Sequence, residues 1–198
     1  MIKKRFFLGL AMSLVLSTTA AATGLTNTQI HGNKVTADLD LPGIDAEIIL
    51  TFDQVVGLTT ANLGLSAALL TPIDILALLP RLPATGLSIP AGFPVLITID
   101  PPAGSPISFS NAFTLEIYTH NLPYVAGSQL RLFSAPAGGL FQDVTARNSS
   151  GSYRVGADHP GFTRSNSNVV VLDPRLITSV VDIKFVRLDD VRMIEFIP

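Results

Sequence analysis

Four carboxylates crowd around one turn: Asp38, Asp40, Asp45 and Glu47 flank Pro42-Gly43. Lys34 to Leu41 alternates, with Val35, Ala37, Leu39 and Leu41 on one side and Lys34, Thr36, Asp38 and Asp40 on the other. Ile44 to Phe52 repeats the pattern, setting Ile44, Ala46, Ile48, Leu50 and Phe52 against Asp45, Glu47, Ile49 and Thr51. Residues two apart share a face of a strand. A two-residue loop at Pro42-Gly43 therefore sets Asp40 opposite Asp45 and Asp38 opposite Glu47, all on the outer face of one hairpin. Like charges directly opposed are unfavourable, and a hard cation such as Ca²⁺ would relieve them through oxygen ligands. A solvated face tolerates the same four groups, with Lys34 nearby softening the repulsion. Pro-Gly also fits the primed turns of tight hairpins poorly, which leaves the register open to a slip.

The histidines offer the other chemistry. His31 precedes a Gly32-Asn33 turn, His120 ends a strand before Asn121-Leu122-Pro123, and His159 sits in the loop Asp158-His159-Pro160. A hydrolytic site needs a nucleophile, a base and an orienting acid brought together in space. The chain has no Gly-x-Ser-x-Gly elbow, Walker A, dinucleotide-binding or His-Glu-x-x-His pattern. No catalytic or cofactor-binding residue is assigned on this reading. The chain also lacks Cys, which excludes zinc-thiolate, thiol-redox and cysteine-nucleophile chemistry and leaves stability to packing alone.

The elements that must position these residues are mostly strands. The Lys34–Leu41 and Ile44–Phe52 runs, with Thr28 to His31 before them, read as an N-terminal meander with one buried face. Leu63, Leu65, Ala67 and Leu69 alternate again. Thr71-Pro72-Ile73-Asp74 then opens a short helix: Thr71 caps it, Pro72 suits its first position, Asp74 favours its positive end, and Pro80 stops it. Further short strands are expected at Phe93–Ile99, Phe113–Tyr118, Gln129–Phe133, Phe141–Ala146, Tyr153–Ala157 and Asn168–Leu172, separated by Gly, Pro and Ser turns. The fold class is therefore mainly β, an antiparallel β-sandwich over residues 23–172 with a short internal helix. Residues 173–198 read as a C-terminal amphipathic helix. Asp173-Pro174 is a cap followed by proline, and Ile177, Val181, Leu188 and Val191 share a face. Val181, Ile183 and Phe185 would also alternate as a strand; the cap chemistry favours helix from about Pro174 to Arg192. Such a stripe would pack on the sandwich or pair two copies as a homodimer.

Charge and targeting bound the setting. Lys3, Lys4 and Arg5 precede an apolar stretch, Phe6 to Leu16, and Ala20-Ala21-Ala22 offers small residues for cleavage, so residues 1–22 read as a signal peptide of bacterial type. The apolar part is too short for a transmembrane anchor. Its removal takes three of the 13 basic residues and none of the 15 acidic ones. A mildly acidic exported chain with no Lys/Arg cluster does not suit nucleic acid. From Gln54 to Leu115 only Asp74, Arg81 and Asp100 are charged. Such a stretch suits buried strands joined by turns, or a weakly charged face that docks on a partner.

Phe109-Ser110-Asn111-Ala112-Phe113-Thr114-Leu115-Glu116-Ile117, Leu130-Arg131-Leu132-Phe133 and Phe141-Gln142-Asp143-Val144 carry a resemblance. Over roughly Phe93 to Phe162 the chain resembles ZU5-like and related immunoglobulin-like β-sandwich modules of extracellular proteins. Phe141 stands where that pattern has Trp, and His159-Pro160-Gly161-Phe162-Thr163 stands where it closes on His-Phe-Ser. The whole chain also looks like a family of uncharacterised exported bacterial proteins. These resemblances imply a sandwich fold and no activity.

Taken together, the sequence favours a non-enzymatic exported module, periplasmic or extracellular, that binds or builds a cell-envelope component. The alternative is a secreted or periplasmic hydrolase acting on an envelope or polysaccharide substrate, with His120 or His159 meeting a carboxylate in a cleft.

Overall fold

The computed structural model describes residues 24–109, 113–122, 129–149, 154–158, 165–174, 184–185 and 195–196. The strands are β1 (Leu25–His31), β2 (Lys34–Leu39), β3 (Ala46–Phe52), β4 (Val55–Val56), β5 (Leu65–Leu69), β6 (Val95–Ile99), β7 (Ser108–Phe109) and β8 (Phe113–Thr119). They continue with β9 (Leu130–Pro136), β10 (Gln142–Asp143), β11 (Thr145–Ser149), β12 (Arg154–Asp158), β13 (Asn166–Leu172), β14 (Lys184–Phe185) and β15 (Glu195–Phe196). Two short helices, α1 (Thr60–Leu63) and α2 (Pro72–Leu78), lie between β4 and β6, and a 3₁₀ turn, Leu79–Arg81, extends α2.

The protein is mainly β, built on antiparallel sheets. One sheet has six strands in the order β1-β2-β3-β8-β12-β11, and another has five in the order β10-β9-β13-β6-β5. Alternation decides where each strand points its apolar residues. Val35, Ala37, Ile48, Leu50, Leu115 and Ile117 of the six-stranded sheet join Leu65, Ala67, Val95, Ile97, Leu132 and Val170 of the five-stranded sheet in one buried cluster. Full burial of such a side chain stabilises by about 1.5–3 kcal/mol, so this shared cluster dominates the favourable side of folding. Phe52, Phe109 and Phe113 close one region of it, with ring centroids 5.1 to 6.1 Å apart.

The five-stranded sheet is apolar on both faces. Phe133, Ala135, Val169 and Val171 point away from the shared cluster, into a second one with Leu78, Leu82, Leu87, Ile89 and Phe141. That second layer draws Leu78, Leu82, Leu87 and Ile89 from the charge-poor stretch. A sheet covered on both faces reads as near-continuous apolar sequence rather than as alternation.

Local chemistry formed α2 where it was expected. The Thr71 hydroxyl accepts from the Asp74 backbone N–H, Asp74 accepts from the Thr71 N–H, and Pro72 opens the first turn. α1 was not anticipated. Its signals are a Thr59 cap and Gly64 at φ 63° closing the last turn, but only four residues lie between them, too few for a visible helical period.

The C-terminal expectation lies mostly outside the described residues, including Ile177, Val181, Leu188, Val191 and all of 175–183 and 186–194. Where residues are described, the outcome differs from helix. Lys184–Phe185 pairs antiparallel with Glu195–Phe196. Of the alternating set Val181, Ile183 and Phe185, the described Phe185 lies in a strand, a state that suits an aromatic residue. The leader expected over residues 1–22 also lies outside the described residues. Among the described residues no helix is long and apolar enough to cross a membrane.

Candidate functional site: the carboxylate recess of the six-stranded sheet

The first hairpin keeps the expected register but not its full length. Asp38 stands opposite Glu47, and the β2–β3 ladder stops there. The Pro42-Gly43 turn closes through the Ile44 N–H to the Leu41 carbonyl at 3.0 Å, with Gly43 at φ 76°. Proline followed by a positive-φ glycine is the type II pattern, whose hand splays the strands that enter it. The backbones of Asp40 and Asp45 consequently find other partners. The Asp40 N–H donates to the Gly24 carbonyl at 2.9 Å. The Asp45 N–H donates to Asn121 Oδ1 at 2.7 Å.

Asn121 is the residue that holds this end of the sheet together. Its Nδ2 donates to the Gly43 carbonyl at 2.8 Å, so one amide grips both the turn and the residue that leaves it, Asp45. Thr119, buried at 1% exposure, donates its hydroxyl to the Asp45 carbonyl at 2.8 Å and accepts from the Asn121 N–H at 3.1 Å. β8 thereby fixes the loop that carries Asp45.

The result is an open recess of about 520 Å³ lined by Asp38, Ile44, Asp45, Glu47, Tyr118 and His120, among others. Cross-strand register explains the grouping. Asp38 pairs with Glu47 and Glu47 with Tyr118, so these three form one row on the outer face. Asp38 also receives a hydrogen bond from Asn27 Nδ2 at 2.7 Å. Asn27 stands at φ 49° in the irregular stretch of β1 where the register shifts between Thr26 and Gln29. That break turns its amide toward the carboxylate.

Of the four carboxylates expected to share one face, the structure brings Asp38, Asp45 and Glu47 to the recess and leaves the exposed Asp40 off its lining. Among the described residues no three His, Asp or Glu side chains gather closely enough to hold a metal ion. His120 shares the recess, whereas His31 ends β1 near Gln29, 3.3 Å from its side-chain oxygen. His159 lies outside the described residues. Sequence reasoning missed Tyr118, Thr119 and Asn121 as parts of this site. Only the position of Asn121 at a strand end, before Leu122-Pro123, hinted at a turn-binding role.

Fold and site together define a mainly-β antiparallel protein with an acidic, aromatic-edged recess at one end of its larger sheet. The chain belongs to a family of unknown function, DUF6689, whose family profile matches residues 10–195. Comparison with curated proteins and with solved structures gave no significant match.

Proposed function

We propose that the protein is a non-enzymatic module of the cell envelope, exported by its residue 1–22 leader to the periplasm or beyond, in which the two sheets pack face to face as a β-sandwich. The shared cluster drawn from both sheets supports the sandwich. In this reading the recess binds an envelope component rich in hydroxyl or ammonium groups. The carrying observation is the row Asp38, Glu47 and Tyr118, joined by Asp45 and His120 around one opening. Carboxylates accept hydrogen bonds from hydroxyl and ammonium groups, and a tyrosine ring offers an apolar face with a polar rim.

Binding is favoured over catalysis by how the Thr119 hydroxyl, beside the same recess, is spent. Thr119 is buried and gives its single proton to the Asp45 carbonyl, so it is not held ready for a base to activate. The hydrolase reading keeps one observation in its favour, the presence of His120 beside carboxylates in the same recess.

Co-sedimentation of the mature protein with isolated cell-wall glycan separates the two. The parent is expected to pellet with the glycan and to release no reducing ends. Glu47→Gln with Tyr118→Ala is expected to stay in the supernatant. Reducing ends that disappear on His120→Ala would establish the hydrolase, and equal pelleting of parent and variant would refute the recess as the binding site.

A further inference from the structure

The outer layer of the five-stranded sheet leaves a surface unfinished. α2 turns Leu78 into the second cluster, but Ile73 and Leu76 on its other side are 78% and 66% exposed. Two largely apolar recesses adjoin α2 and the turn that follows. One, of about 500 Å³, is lined mainly by Leu79, Pro80, Leu82, Pro83 and Leu87. The other, of about 310 Å³, lies against Leu69, Leu70, Ala77 and Leu96, with Asp74 and Arg81 also on its lining. From Pro72 to Ile89 the only charged residues are Asp74 and Arg81. Asp74 is engaged by the Thr71 N–H and hydroxyl, and the Arg81 guanidinium lies 4.8 Å from the Phe141 ring centre. A surface this poor in charge and rich in exposed Leu, Ile and Pro marks a docking site.

We infer that its occupant is the chain's own C-terminal segment, residues 175–198. Three observations select it. The first is where that segment starts. Leu172, at the end of β13, exchanges backbone hydrogen bonds with Ser88 at 2.7 and 3.2 Å. Ser88 lies between Leu87 and Ile89, which belong to the cluster beneath α2. Pro174 therefore delivers the segment to the rim of the apolar surface. The second is length. At about 1.5 Å per residue even as helix, the twenty-four residues would span about 36 Å, more than three times the length of the seven-residue α2. The third is composition. Thirteen of the twenty-four are Leu, Ile, Val, Phe or Met, and the four acidic and four basic residues cancel. A neutral, apolar segment suits a surface of the same kind. Nor can the segment support itself, because its one described element is the two-residue ladder of β14 with β15, and an isolated two-stranded hairpin is marginal in water.

The absence of cysteine makes the test clean. Thr85→Cys places a single spin label on an exposed loop residue at the rim of the larger recess. In the full mature chain, amide signals from residues 175–198 are expected to lose most of their intensity, and to recover when the label is reduced. Leu76→Lys alters a side chain that is already exposed, so the fold is retained while docking is opposed; it is expected to restore those signals. Signals that stay sharp in the labelled parent, or stay broadened in Leu76→Lys, overturn the assignment. Isotope-labelled chains mixed with unlabelled, spin-labelled ones give the remaining outcome. Broadening that persists in that mixture assigns the surface to a second copy and overturns docking within one chain.

Discussion

Replacing Asn121 by alanine tests whether one amide holds the recess in shape. The substitution removes the acceptor for the Asp45 N–H at 2.7 Å and the donor to the Gly43 carbonyl at 2.8 Å. Thr119 does not add to the loss. A hydroxyl has one proton, and its 2.8 Å bond to the Asp45 carbonyl takes precedence over the 3.1 Å contact with Asn121 Oδ1. Two hydrogen bonds at about 1 kcal/mol each, on groups that water can reach, make the expected loss about 1–2 kcal/mol. For a chain of this size that corresponds to a fall in melting temperature of about 2–8 °C. Urea or thermal unfolding gives the magnitude, and hydrogen exchange at the Asp45 amide gives the location. Asn121→Asp keeps the acceptor, loses the donor and adds a negative charge close to Asp45, so it should retain partial protection of that amide while also lowering stability. If Asn121→Ala leaves both the melting temperature and the Asp45 exchange rate unchanged, the loop is held by something else and the construction of the recess given above is wrong.

Other expectations follow from single positions. Gly64→Ala should cost well over about 2 kcal/mol, since φ 63° disfavours a side chain and the new Cβ would lie 2.0 Å from the Asp100 carbonyl oxygen. Gly32→Ala, at φ 62° with open space around it, should cost only about 1 kcal/mol; equal losses in denaturant unfolding would refute the close-approach argument. The Thr71 hydroxyl, then its backbone N–H, hold the Asp74 carboxyl below its ordinary range. A depressed folded value means that the contribution is present above the unfolded value and is lost as pH falls through the folded one. The destabilisation by Asp74→Asn should thus be larger at pH 7 than in strong acid, and a penalty independent of pH in urea titrations would contradict this. Finally, CaCl₂ should raise the melting temperature no more than NaCl of matched ionic strength, because no three ligating side chains converge among the described residues. A calcium-specific rise abolished by Asp40→Asn with Asp45→Asn would establish a cation site there.

The legible parts of this chain are those governed by local rules. Period-two alternation is a property of each strand alone, so the inward sets of β2 and β3 could be read directly, and all but the half-buried Ala46 are buried. Capping is equally local, and Thr71, Pro72 and Asp74 announce α2 within four residues. Even the pairing of Asp38 with Glu47 followed from the turn between them. What the tertiary structure alone decided lies far apart in sequence. β3 takes β8 as its second neighbour, some sixty residues on, and this pairing adds Tyr118 and His120 to the carboxylates of the first hairpin. The Asn121 amide meets the Asp45 N–H across 76 residues. No periodicity encodes such meetings, because a strand's alternation fixes which face is buried but not which edge becomes its neighbour. The choice between partners is made by closure of the common core. For the same reason the sequence alone placed four acids on one face, whereas the splayed turn, gripped from β8, kept three at the recess and left Asp40 off its lining.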